Sequence, residues 1–157
     1  MTNEIYISAT QFTASTKSLD IFVSGCKPPH CPGCHNFELF EFGQGRILDD
    51  KYKEEIIDKI NEFGLLIKNI FFYGGEPLDQ PLDLLIDLIN SIKKKCNNII
   101  YLFTKYDLKE VPDIIKEKCD YIKCGRYLKE LEDEEYEMYG ISLATTNQII
   151  YKKGVDF

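Results

Sequence analysis

From residue 50 onward the chain keeps to one alternation. An apolar stripe at helical spacing is followed by a short β-branched and aromatic run, three times over. Between Asp50 and Phe63, the residues Tyr52, Ile56, Ile57, Ile60 and Phe63 recur every three or four positions, with Gly64 as the stop. Between Pro81 and Lys95 the stripe is Leu82, Leu85, Ile86, Ile89 and Ile92, and Pro81 suits a first helical turn. Val111–Lys118 is a third, shorter helix. The intervening runs Lys68–Tyr73, Asn98–Thr104 and Asp120–Cys124 have strand character, as do Glu4–Ala9, Leu19–Ser24 and Gln148–Tyr151. Strand and helix in strict alternation require right-handed crossovers, so we expect an α/β fold built on a mainly parallel sheet.

A chain of 157 residues with 44% hydrophobic and 29% charged residues suits one domain, 1–157, with one ordinary core. Its net charge of −7 argues against nucleic acid or an anionic membrane as the main partner. Lys93-Lys94-Lys95 fits the solvated end of a helix, where cations are favoured. No 18-residue apolar run is present, and Met1-Thr2-Asn3-Glu4 lacks the basic-then-apolar pattern of a secretory leader. The six cysteines are therefore expected to be reduced thiols in a cytoplasm.

In parallel sheets ligands gather at the carboxyl ends of strands. Three distinctive loops are expected on that rim: Cys26–Asn36, Tyr73–Pro77 and Thr104-Lys105-Tyr106. The first holds Cys26, Cys31 and Cys34 in a Cys-x4-Cys-x2-Cys pattern, with Gly25, Pro28, Pro29, Pro32 and Gly33 keeping it out of regular structure. Three thiolates are one short of a closed four-ligand site, which suggests a metal centre with an open position. Ordinary packing of small apolar thiols is one alternative. Zinc completed by His30 or His35 is another, although each histidine adjoins a cysteine and its ring would have to fold back into a crowded loop. A cubane iron–sulfur cluster fits better, because short spacings let three thiolates take three different irons. Cys96, Cys119 and Cys124 lie at helix and strand ends and are expected to pack, pairing or metal binding by Cys119 and Cys124, five apart, being the alternative. Gly74-Gly75-Glu76-Pro77 suits either a plain turn or a loop whose backbone approaches a ligand closely.

With both loops in view, the sequence resembles the radical S-adenosylmethionine (SAM) superfamily, and within it the activating enzymes of anaerobic ribonucleotide reductase. The resemblance runs from about Gln11 to Tyr151. It rests on Cys31-Pro32-Gly33-Cys34-His35-Asn36, on Gly74–Pro77 and on Thr145-Thr146-Asn147-Gln148. Thr104-Lys105-Tyr106 and Gly125-Arg126-Tyr127 look like weaker family positions. Such a likeness implies a [4Fe-4S] cluster on Cys26, Cys31 and Cys34, with SAM on its open iron. It implies that Gly33, Cys34 and His35 line the adenosyl portion, that Gly74 and Gly75 hold the methionine amino group, and that Glu76 helps to fix their loop.

The activity implied is reductive SAM cleavage that leaves a glycyl radical on a partner, the glycyl-radical subunit of anaerobic ribonucleotide reductase. A flavodoxin- or ferredoxin-like protein would supply the electron. Another glycyl-radical partner, a small-molecule radical SAM reaction, or a non-enzymatic zinc or redox module are the alternatives. The chain is short for a closed eight-stranded barrel, so the expected architecture is a partial, open (βα) barrel of radical SAM type. One departure stands out. The usual family spacing has three residues between the first two cysteines, and here there are four. The stiff pair Pro28-Pro29 is expected to bulge outward and leave the sulfurs in place.

Overall fold

The computed structural model describes residues 3–157. Its elements run β1 (Tyr6–Thr13), β2 (Ser18–Val23), β3 (Arg46–Ile47), α1 (Asp50–Phe63), β4 (Asn69–Gly74) and α2 (Leu82–Lys95). They continue with β5 (Ile99–Phe103), α3 (Asp113–Lys118), β6 (Tyr121–Cys124), the short pair β7 (Glu137–Met138) and β8 (Ile141–Ser142), and β9 (Ile149–Lys152). The helix ends follow from local chemistry. Asp49 caps α1 by accepting the Tyr52 N–H at 2.8 Å, and Gly64 ends it at φ 55°. The last turn of α2 carries Lys93, Lys94 and Lys95 beside its exposed carbonyls.

Among the described residues, seven strands form one open sheet in the order β3-β1-β2-β4-β5-β6-β9. The middle strands β2, β4, β5 and β6 are parallel, whereas β1 and β9 run antiparallel to their neighbours. The sheet is thus parallel at its centre and paired antiparallel toward both edges, where β3 lies outside β1 and antiparallel to it. At one edge the cause is local: β1 and β2 are joined by a tight turn with Lys17 at φ 49°, and such a connection only makes a hairpin. The strand expected at Glu4–Ala9 is displaced and extends to Thr13. Polar pairing supports the extension, since the Thr13 hydroxyl donates to Asp20 across the hairpin at 2.7 Å.

One face of the sheet packs against the helices. Ile70, Phe72, Ile100 and Leu102 meet Ile56, Ile57, Ile60, Leu85, Ile89 and Ile115 there. The other face carries Phe71, Tyr101 and Ile150, covered by Ile141 and Leu143 from the segment between β6 and β9. Tyr73 and Phe103 stack at 4.2 Å, and Tyr101 and Tyr121 at 4.4 Å. Burial on both faces explains why Ile70-Phe71-Phe72-Tyr73 is apolar without alternation. Among the described residues, no helix is long and apolar enough to cross a membrane.

Candidate metal centre

β2 ends at Val23, and the chain turns at Gly25 into the cysteine loop. The neck of that loop is closed by two backbone bonds. The Gly25 N–H donates to the Leu39 carbonyl at 2.8 Å, and the Cys26 N–H to the Phe40 carbonyl at 2.9 Å. Gly25 is required here: its φ is +107°, and a Cβ would fall 2.2 Å from the Phe42 ring. Cys26 is buried, Cys31 and Cys34 are half-buried, and all three thiols are free. Lys27, Pro28 and Pro29 are exposed, so the extra length of the loop does project outward. His30 donates from Nε2 to the Cys26 carbonyl at 2.7 Å and stacks on Phe40 at 3.8 Å.

The glycine loop is laced to the cysteine loop. The Gly75 N–H donates to Val23 and the Glu76 N–H to Gly25, both at 2.8 Å, while Asn36 Nδ2 donates to the Gly74 carbonyl at 3.3 Å. Glu76 then reaches the next loop, after β5. Its Oε1 accepts the Lys105 N–H at 2.7 Å, and its Oε2 accepts the Thr104 hydroxyl at 2.8 Å and the Leu78 N–H at 3.0 Å. Burial pushes the Glu76 carboxyl up to about 6, against the pull of those donors. At the far side, Thr145–Gln148 grips the turn after β6. Asn147 Nδ2 donates to the Arg126 carbonyl at 2.9 Å, and Gln148 Nε2 to the Gly125 carbonyl at 3.3 Å.

These loops line a half-open cavity of about 240 Å³. Cys26, Cys31, Cys34, His35, Gly74, Gly75 and Glu76 all line it. Gly33 does not; it is exposed, with the place of its missing Cβ 3.3 Å from Tyr127, which does line the cavity. Cys119 and Cys124 are core residues packed with the helices, and the Cys96 thiol lies 3.5 Å from Asn61 Oδ1. Sequence reasoning missed Lys123, Tyr73 and Phe103 as lining residues. The available signal for Lys123 was a single cation within the apolar strand Tyr121–Cys124. Burial lowers the pKa of Lys123, and its Nζ donates to the Gly125 carbonyl at 3.2 Å.

A family model described as a 4Fe-4S single cluster domain matches residues 17–150. The chain belongs to that family. This 4Fe-4S domain is also 28% identical, over 138 residues, to the anaerobic ribonucleoside-triphosphate reductase-activating protein of Haemophilus influenzae. That alignment covers 84% of the chain and 85% of the relative.

The residues present suit the cluster that the family name describes. Three free thiols share one cavity, and two buried or cavity-facing lysines supply positive charge beside a ligand set that becomes anionic on binding. Burial pushes the Cys26 thiol up despite the neighbouring Lys105, so metal binding there would release a proton. A single closed ion fits less well. Among the described residues, no three His, Cys, Asp or Glu side chains, the three loop thiols included, gather closely enough for a single ion. The His30 ring is engaged with a carbonyl and with Phe40, and the His35 ring lies 5.0 Å from that of Tyr127.

Proposed function

We propose that this 4Fe-4S protein is a radical SAM activase whose target is the glycyl-radical subunit of anaerobic ribonucleotide reductase. The reading takes residues 1–157 as a single cytoplasmic radical SAM domain and the open sheet as a partial (βα) barrel. The observation that carries it is the meeting of Cys26, Cys31 and Cys34 with Gly74 and Gly75 around one cavity. The name of the Haemophilus influenzae relative supports the choice of partner.

Held by Cys26, Cys31 and Cys34, a [4Fe-4S] cluster would supply the one electron needed to cleave SAM reductively to methionine and an adenosyl fragment, which would draw a hydrogen atom from a glycine of the partner. The residues of this chain bind and orient. Cys26, Cys31 and Cys34 are the proposed ligands. Gly74 and Gly75 present backbone to the methionine amino group, and Cys34 and His35 border the adenosyl portion, with Gly33 outside the cavity in the turn before them. Glu76 has both oxygens engaged within the protein and therefore holds the loop in shape. Tyr73, Phe103, Tyr127 and Leu143 give the cavity apolar and aromatic walls. Fixing the reactant beside its electron source is a positional advantage of up to ~10 kcal/mol. The electron itself comes from a small reducing protein of flavodoxin or ferredoxin type.

Anaerobic reconstitution tests the reading. About four irons and four sulfides per chain are expected, with 5′-deoxyadenosine formed under reduction and a glycyl radical on the purified reductase subunit, read by electron paramagnetic resonance. A loaded protein that never yields 5′-deoxyadenosine would overturn the activity. A radical appearing only on a different glycyl-radical enzyme would reassign the partner.

A further inference from the structure

The buried side chain of Lys105 ends against one of the three loop cysteines. Its Nζ stands 3.3 Å from Cys26 Sγ, 2.5 Å from the Lys27 carbonyl oxygen and 3.5 Å from Asp79 Oδ2. Three N–H groups thus meet three acceptors, in a place where Lys105 is 9%, Asp79 7% and Cys26 8% exposed. The ammonium is held from both ends. Its own backbone N–H is bound to Glu76 Oε1 at 2.7 Å, and Asp79 is anchored by the Lys27 N–H at 2.7 Å and the Tyr106 hydroxyl at 2.5 Å. Three loops therefore contribute to this one contact: Cys26 and Lys27 after β2, Asp79 after β4, and Lys105 and Tyr106 after β5. Among the described residues, Cys31 and Cys34 have no comparable side-chain donor on sulfur, so the contact is particular to Cys26.

A hydrogen bond to a ligand sulfur draws electron density from it, and a nearby positive charge favours the more negative, reduced state of a cluster. A buried carboxylate acts in the opposite sense, and low polarity strengthens both effects. We propose that Lys105 is a positioning residue. It holds Cys26 in place as a ligand and raises the reduction potential of the cluster, with Asp79 as the opposing charge that limits the rise. The inference rests on the cluster reading above and adds to it a specific asymmetry, one ligand of three being electronically distinct.

The test is a dithionite-poised redox titration of the anaerobically reconstituted full chain, with the one-electron reduced cluster read by electron paramagnetic resonance. Lys105→Met is expected to lower the midpoint. A tenfold fall in the reduced-to-oxidised ratio at a fixed potential corresponds to about 59 mV for one electron. Asp79→Asn is expected to raise the midpoint, and Lys105→Arg, which keeps charge and donors, to stay closer to wild type than the Met variant. Opposite shifts cannot come from a merely structural disturbance, which would move both variants the same way or lose the cluster in both. Should Lys105→Met fail to load, a raised midpoint in Asp79→Asn supports the proposal, and an unmoved one overturns it. A wild type with a clean midpoint that neither substitution moves would sink the proposal alone. A wild type that takes up no cluster would sink the cluster reading and this inference together.

Discussion

Gly75 lies so close to Gly25 that a Cβ added to it would fall 2.3 Å from the Gly25 carbonyl oxygen and 2.7 Å from the carbonyl carbon. The neighbour is backbone and has no side-chain rotamer with which to yield. This contact, rather than open space for a ligand alone, is why the loop after β4 is glycine-rich. Gly75→Ala would push the glycine loop off the cysteine loop, at about 1–3 kcal/mol by analogy with overpacked cores. A lower denaturant midpoint and loss of iron uptake are expected together. Gly154→Ala is the comparison: a Cβ there meets nothing within 4 Å, though φ is +83°. It should lose about 1 kcal/mol from the left-handed backbone and keep its iron.

Glu76 predicts a pH dependence with a defined sign. Burial raises its folded value to about 6 from 4.5, so the folded state holds the proton more tightly than the unfolded chain. The associated stability is fully present below pH 4.5 and is lost as pH rises through about 6. Its size is on the order of 2 kcal/mol. In urea titrations of the metal-free protein, the stability difference between wild type and Glu76→Gln should change by that amount across the window. Parallel pH profiles for the two would remove Glu76 as the cause.

The cysteines divide by position. Cys31→Ser and Cys34→Ser, at the cavity wall, are each expected to lose most iron and the visible sulfur-to-iron absorption. Cys96→Ser, beside Asn61 and away from the cavity, should retain both. Iron and sulfide counts per chain decide this, and equal losses at all three positions would contradict it.

Asn147 holds the far wall. It accepts the Thr145 hydroxyl at 2.6 Å and donates to the Arg126 carbonyl at 2.9 Å. Asn147→Ala leaves both partners unsatisfied and is expected to destabilise by about 1–3 kcal/mol. Thermal melting of the metal-free protein would register the loss, and an unchanged midpoint would show that water replaces both bonds.

Much of the scaffold could be read from local patterns. The stripe Ile56, Ile57, Ile60 has only one amphipathic solution, and the run Ile70–Tyr73 is too short and too β-branched and aromatic to be a helix. Parallel crossovers send all carboxyl ends one way, so the cysteine, glycine and Thr104 loops had to share a rim. The edges of the sheet were less readable. Gln11-Phe12-Thr13 becomes strand because it pairs with β2, and the edge strand β3 is two residues long, too short for any period to appear. Thr145–Gln148 and Gly125–Tyr127 looked like separate motifs; folded, one holds the other by hydrogen bonds from Asn147 and Gln148.

Sequence alone determined the alternation of strands and helices, the rim on which the three loops gather and the identity of the thiols. Each of these depends on residues near one another in the chain, through periodicity, turn chemistry and the handedness of crossovers. Only the tertiary structure decided that the second face of the sheet is covered, and that Lys123 therefore faces a cavity. It also decided that the Lys105 ammonium ends beside a thiol 79 positions earlier in the chain. Such contacts arise where separate loops close over a common volume, and no local dihedral preference encodes that distance.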